Sequence, residues 1–321
     1  MPASITGMGT TYNLPNYVGE LFCATPADTP FLSAIGGLTG GREANATFFE
    51  WQGYTLREGA DDRQRLEGAA APDAEARVRY TERNVVEIHQ EKVEISYTKL
   101  GATGQRATDG EPQVTIGGIS IPVSELKFQI DAALKSKALD IDKSFIAGTF
   151  QSPDDNTAPR KTRGLLQATT TNVVTAAKDD LDEEAILDLF QKVWDKGGIA
   201  YDETRTVMVN STLKRLLTKI FIKDKGYQEE SRTVGGVSLQ TFETDFGRAN
   251  LMLERHMPVN QISVVSLDEC APRFLPIPGK GHFFVEPLAK TGASEAVQLY
   301  GEIGLEYGDE KKHGKLIVTG M

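Results

Sequence analysis

The sequence predicts an α+β fold, and three observations carry that expectation: one long amphipathic helix near the middle, a compact helix and strand alternation after it, and strand periodicity on both sides. The helix spans Pro122 to Ala147. Leu126, Ile130, Leu134, Ile141 and Phe145 recur at spacings close to 3.6, Pro122 and Ser124 suit the first turn, and Gly148 suits the stop. About 25 residues at 1.5 Å each span roughly 37 Å, enough for a spine along which smaller elements are laid. Lys127, Asp131, Lys135 and Lys143 keep one face wet. Judged alone, an ordinary long surface helix explains the segment equally well.

Ahead of the helix, Met1 to Gly41 is dense in Gly, Thr, Pro and Asn and carries one apolar stretch, Pro30 to Ile35. This reads as an extended arm with a single docking point, suited to gripping something else. Ala46 to Trp51 is a strand signal. The run from Arg57 to Arg79 that follows is charged and alanine-rich, so it cannot drive its own burial and must project into solvent or against a neighbour. In Asn84 to Thr98, Val86 and Ile88 share one face while Val93, Ile95 and Tyr97 share the next. The parity changes near Gln90 and Glu91, as in a long strand with a bulge. Two strands flanking a polar tip make an extended hairpin that needs a partner surface. A mobile surface loop is the plainer alternative.

After a polar link, Gln151 to Arg163, the composition turns to α/β. A helix is expected over Asp180 to Lys196, with acidic residues from Asp179 to Glu184 at its positive end and Gly197 and Gly198 beyond its close. Thr206 to Val209 reads as a short buried strand, and Asn210 or Ser211 can cap a helix through Leu213, Leu216, Leu217 and Ile220. Further strands are expected at Val234 to Phe242, Ala249 to Leu253 and Ile262 to Ser266. From His282 onward the pattern is β. Val297, Leu299, Ile303, Leu305 and Tyr307 lie on one face of a long strand interrupted by Gly301 and Gly304, and Leu316 to Val318 closes the chain.

The bulk properties narrow the function. With 45 acidic against 35 basic residues, the net charge of −10 argues against a protein built to coat phosphates. Two cysteines, Cys23 and Cys270, lie too far apart in sequence to staple a small scaffold. No segment approaches the roughly 20 apolar residues of a membrane span. Of the four histidines, His89, His256, His282 and His313, none has metal-ligand spacing, and His256 reads as structural or interfacial rather than as a general base. Cys23, beside Leu21 and Phe22, reads as a small buried hydrophobe. Gly36 to Gly41 fails as a phosphate loop because Arg42 and Glu43 stand where Lys followed by Ser or Thr is required. Gly279 to Gly281 reads as a turn, and the pairs Asp61 with Asp62 and Asp179 with Asp180 read as solvated. No catalytic, cofactor-binding or metal-ligating residue is assigned, no cofactor is expected, and the chain is not read as an enzyme.

Several segments carry a family likeness. Ala27 to Ser33 in the arm, Phe49 to Gln52 entering the hairpin and Arg163 to Leu166 after the polar link come first. Thr244 to Gly247, Arg255 to Pro258, Glu286 to Gly292 and Gly301 to Glu306 follow in the C-terminal third. In wording and order, over nearly the whole chain, they resemble the major capsid proteins of tailed bacteriophages, which have the Hong Kong 97-type capsid fold. The resemblance implies residues 1–47 as the N-terminal arm, 48–110 as the E-loop hairpin with flanking strands, 111–160 as the P-domain with its spine helix, 161–281 as the A-domain and 282–321 as a C-terminal β section, mostly P-domain.

It further implies an icosahedral or prolate head shell of hexamers and pentamers around the phage genome, with each E-loop over a neighbouring copy. Portal, scaffolding and decoration proteins and non-specific contact with packaged DNA are the implied partners, with no membrane; the location is the virion, after synthesis in the host bacterial cytoplasm. Two departures stand out. The arm begins almost at Met1, which points to a separate scaffolding protein or none, and the tip from Thr55 to Tyr80 holds no lysine for a crosslink to a neighbouring subunit. The alternatives are a nanocompartment shell of the same fold, another virion component such as a tail protein, and an acidic α/β hydrolase with a mobile lid at Arg57 to Arg79.

Overall fold

The computed structural model describes residues 27–57, 59–61, 63–102, 114–116, 119–121, 123–199, 205–224 and 241–321. In chain order the first half contains α1 (Pro30–Ala34), β1 (Arg42–Glu43), β2 (Phe48–Tyr54), β3 (Arg79–Val85), β4 (Glu87–Ser96), α2 (Tyr97–Ala102), β5 (Val114–Ile116), β6 (Ile119–Ile121) and α3 (Val123–Ala147). Then come α4 (Leu165–Ala168), β7 (Val173–Ala177), α5 (Glu183–Asp195), β8 (Arg205–Val209), α6 (Ser211–Thr218), β9 (Thr241–Thr244), β10 (Gly247–Leu253) and β11 (Gln261–Val265). The last strands are β12 (Ala271–Phe274), β13 (Phe283–Pro287), β14 (Ser294–Glu306) and β15 (Gly314–Thr319).

The long strand β14 organises the first sheet. From Ser294 to Ile303 it pairs antiparallel with β4, and its other edge takes β13 and then β12, with β1 parallel to β12. The odd-numbered side chains Val297, Leu299, Ile303 and Leu305 are buried, as their alternation predicts, and Tyr307 just beyond the strand is buried with them. Gly301 lies where a Cβ would collide with the Phe283 ring, and Gly304 where one would meet the Val85 carbonyl and the Phe49 ring, so both glycines admit a close cross-strand approach.

The helix α3 is the expected spine. Its first half packs Leu126 and Ala133 onto Val93, Ile95, Val297 and Leu299 of the first sheet. Its second half sends Ile141, Phe145 and Ile146 into a larger core with Leu165, Leu166, Phe274, Ile303, Leu305 and Tyr307.

The second sheet runs β7, β15, β11, β8, β10, β9. One face carries α5 and α6 through Leu189, Phe190, Val193, Leu213 and Leu217, packed on Val207, Val209, Val264, Leu316 and Val318. Met208 and Val265 point the other way, into the core around α3. Alternation on β8 therefore ties the two cores together. Asn210, one of the two expected caps, accepts from the Leu213 N–H at 2.8 Å, and Asp182 caps α5 by accepting from the Ala185 N–H at 3.0 Å.

Several expectations shift. The strand parity changes at Val86, not at Gln90 and Glu91: β4 keeps an unbroken register with β14 through both residues. Val85 and Val86 are both buried because the chain there leaves the β2–β3 ribbon for the larger sheet, with Val86 packed beside Ala44 and Phe49. Ile88 is consequently half exposed, and Tyr97 begins α2. The helix expected from Asp180 starts at Glu183, since Lys178 to Asp180 forms a separate turn. β12 belongs to the first sheet, whereas β15 returns to the second. Of the strand expected from Val234 to Phe242, residues 234–240 lie outside the described residues and its end begins β9; Cys23, Asp62 and Pro122 also lie outside them.

His313 is wholly buried before β15, accepting from the Ser266 N–H at Nδ1 (3.2 Å) and donating from Nε2 to the Tyr307 carbonyl (2.7 Å). Burial pushes its pKa down from 6.5 to about 4. The unfolded chain thus binds a proton between those values where the folded chain does not. Stability is complete above pH 6.5 and is lost as pH falls toward 4, by about 2 kcal/mol between pH 7 and pH 4.5. Urea unfolding at the two pH values should show this loss, and His313→Gln should remove that part of the difference.

Candidate assembly surfaces

The β2–β3 hairpin stands out from both sheets, and its root is built firmly. The ribbon pairs Phe48 with Val85 through to Tyr54 with Arg79. At its base Phe49 is buried and stacks on Trp51 at 5.9 Å, and Trp51 meets the Tyr307 ring edge-on at 4.9 Å while donating to the Gly308 carbonyl at 2.8 Å. Asn84, fully buried, donates to the carbonyls of Leu305 (2.7 Å) and Arg163 (3.1 Å), and its Oδ1 accepts from the Arg163 N–H (2.8 Å). One amide side chain thereby joins the hairpin, the segment before α4 and β14, with its polar atoms satisfied.

Beyond Tyr54 the described tip residues are exposed up to Arg79. Glu75 gathers Arg63 at 2.6 Å, Arg77 at 3.1 Å and Arg57 at 3.6 Å. The hydrogen bond from Arg63, with that from Arg77, holds its carboxyl below the ordinary range. Tyr54, Leu56, Leu66 and Val78 are 68 to 86% exposed. The hairpin therefore combines a fixed root, a cross-braced tip and four largely exposed apolar side chains.

The arm is anchored differently from expectation. Phe31, Leu32 and Ile35 are buried in this subunit's own core beside Ile141 and Phe145, so the apolar stretch docks at home. The Phe31 N–H donates to Glu254 (3.3 Å) and the Leu32 N–H to Asp142 (2.8 Å). His256 Nδ1 lies 2.7 Å from Asp142 Oδ2, and its backbone N–H donates to Glu254 at 3.2 Å. The sequence reading gave His256 a structural role but missed its two partners. One signal was available: Asp142 falls on the buried face of α3, between Ile141 and Phe145.

Among the described residues, the other singled-out groups sit in separate surroundings. Cys270 is fully buried with its thiol pushed up by desolvation, which suppresses the thiolate. His89 contacts Glu87 at 2.9 Å, and His282 lies 3.4 Å from Glu43 with its ring edge-on to Phe274. Gly36 to Gly41 forms a turn with no helix after it. Gly279 and Gly281 take positive φ around Lys280, which pairs with Glu286. Asp142, Glu254 and His256 are the one group of three potential ligand atoms within 4.8 Å among the described residues, and their carboxylate oxygens already accept N–H donors of the protein. No helix among the described residues is long and apolar enough to cross a membrane.

Comparison with solved structures places the architecture. The chain superposes on the capsid of the cyanophage P-SCSP1u with a TM-score of 0.61, at 10% identity, covering 100% of this chain and 99% of that one. The capsid of an empty GTA particle also gives 0.61, at 14% identity and with 96% and 95% covered. The SrpI encapsulin of Synechococcus elongatus PCC 7942 gives 0.56, at 10% identity and with 94% and 91% covered. None of the curated protein sequences matches the chain. The fold is thus the Hong Kong 97-type capsid fold. The sequence itself matches the SU10 major capsid protein description over residues 4–320, and the chain, a shell-forming structural subunit, belongs to the SU10 major capsid protein family.

Proposed function

We propose that this subunit builds the head shell of a tailed phage, icosahedral or prolate, as hexamers and pentamers closed around the genome, with the β2–β3 hairpin laid over a neighbouring copy. The exposed apolar tip on a rigid root carries this reading. Residues 1–47 then serve as the N-terminal arm, 48–110 as the E-loop, 111–160 as the spine segment, 161–281 as the A-domain and 282–321 as the returning β section. The function is mechanical and needs no catalysis. Portal, scaffolding and decoration proteins would complete the particle, packaged DNA would be touched without sequence preference, and synthesis would take place in the host bacterial cytoplasm. Encapsulin shares the fold, but membership in a phage capsid family favours a genome over other contents.

Electron microscopy of the purified chain tests the reading. At −10 per copy, subunits repel one another, and raising salt from about 0.01 M to 0.1 M shortens the screening length from about 30 Å to 10 Å. Closed shells or capsomer rings should appear and should increase over that range. Equal yields at both salt levels would contradict the electrostatic part, and a chain that stays monomeric at both would overturn unaided self-assembly.

A further inference from the structure

Where the start of β4 meets the end of α3 and the polar link after it, the chain encloses an open cavity of about 390 Å³. Its lining includes the cations Lys143, Arg160 and Lys161 against one carboxylate, Glu87, in a chain whose net charge is −10. Lys143, on the wet face of α3, and Lys161, at the end of the link, are exposed and pair with no carboxylate among the described residues. Arg160 is mostly buried. Its Nη2 donates to Glu302 Oε2 at 2.8 Å, while its Nη1 is shielded from solvent and has no acceptor among the described residues. A shielded N–H without an acceptor is unfavourable. The rim is fixed by backbone pairing: Lys161 and Gln151 exchange hydrogen bonds at 2.9 and 3.0 Å, and the Gly164 N–H reaches the Gly148 carbonyl at 2.9 Å. Two features oppose an anion here, and both are outweighed. Glu87 is already engaged, Oε2 accepting from the Thr162 N–H at 3.1 Å and Oε1 lying 2.9 Å from His89 Nε2. The C-terminal end of α3 contributes roughly half a negative charge, against two whole unpaired positive charges on Lys143 and Lys161.

We propose that this cavity binds a phosphate group, with Lys143 and Lys161 supplying the charge and Arg160 the directed N–H donors. A tetrahedral oxyanion has acceptors for several donors at once: the two ammonium groups, the guanidinium and the Ser144 hydroxyl on the rim. A carboxylate from a neighbouring copy presents only two oxygens and would leave part of that donor set unused. At about 0.1 M salt the screening length is about 10 Å, so the cations at the cavity, rather than the net charge of the whole chain, set its potential. The group can come from two sources, free inorganic phosphate or the backbone of DNA. Binding of the group stands apart from the head-shell reading. DNA as its source rests on that reading, because a subunit closed around a genome meets backbone phosphates at high density.

Acylation of the lysines in the full chain, followed by mass spectrometry at constant ionic strength, reads whether the cavity is filled. A site with a Kd of about 1 mM is about nine-tenths occupied at about 10 mM inorganic phosphate, so labelling of Lys143 and Lys161 should fall about fivefold or more. Lys196, exposed at the end of α5, should label as before. Because the two lysines hold one ligand, Lys143→Gln should cut the protection of Lys161 to less than about twofold, and Lys161→Gln that of Lys143. Both side chains are exposed, so the variants keep the fold. A DNA duplex of about 20 base pairs then separates the sources: protection of the same lysines by both probes makes DNA a ligand, and protection by inorganic phosphate alone makes it the free ion. Absence of protection by inorganic phosphate, equal protection of Lys196, or protection that survives both single variants overturns the proposal. None of these outcomes depends on particle formation, which tests the head-shell reading separately.

Discussion

Replacing Tyr54, Leu56, Leu66 and Val78 together by serine is expected to abolish shells while leaving the subunit folded. All four side chains are largely exposed in the isolated chain, so their removal should change subunit stability by no more than about 0.5 kcal/mol per site. On a neighbouring copy each would bury apolar area. Losing even about 1 kcal/mol from each amounts to about 4 kcal/mol per contact, on the order of a thousandfold in association. Because every copy in a closed ring repeats the contact, the deficit repeats around the shell. Sedimentation should show free subunits or small rings, with an unchanged circular dichroism melt. Normal particle yield from the quadruple variant would remove the hairpin from the assembly contacts.

Phe31→Ala is expected to act on the subunit itself. The ring is fully buried among Leu32, Ile141, Phe145 and Met257, and its loss leaves a cavity at the seat of the arm. Phe→Ala substitutions at such sites cost about 3 to 5 kcal/mol, the spread reflecting how far the surroundings collapse. Because α1 is short and local, part of that cost can be met by undocking the arm alone. A urea titration followed by the whole-chain signal would then show a smaller shift than hydrogen exchange at residues 29–36. A shift below about 1 kcal/mol by both measures would mean that the arm does not contribute to the core.

These two substitutions also separate what could be read early from what could not. Exposure of the hairpin tip was legible in its composition, since Arg57 to Arg79 offers too little apolar surface to bury. The anchor at Pro30 to Ile35 was legible as apolar, but its destination was not. The sequence reading sent it outward, and the fold seats it at home among Ile141, Phe145 and Ile146 of α3, Leu165 and Leu166 of α4, and Met257 after β10. The parity slip was detected but misplaced by several residues, because Ile88 is apolar yet half exposed and so mimics an inward position.

Sequence alone determined the elements whose signal is periodic: α3 with its buried stripe, the body of α5, α6 with its cap, the inward face of β14 and the polarity of the hairpin. Their period and end signals lie within a few residues of one another, where side-chain direction follows backbone geometry. Only the tertiary structure decided which strands share a sheet, how Met208 links two cores, that Asn84 meets the backbones of Arg163 and Leu305, and that Leu32, Asp142 and His256 converge. Those pairs lie 79 to 221 residues apart in the chain. Local periodicity says which face of an element is turned inward, but not which other element it meets; that depends on the path of the whole chain.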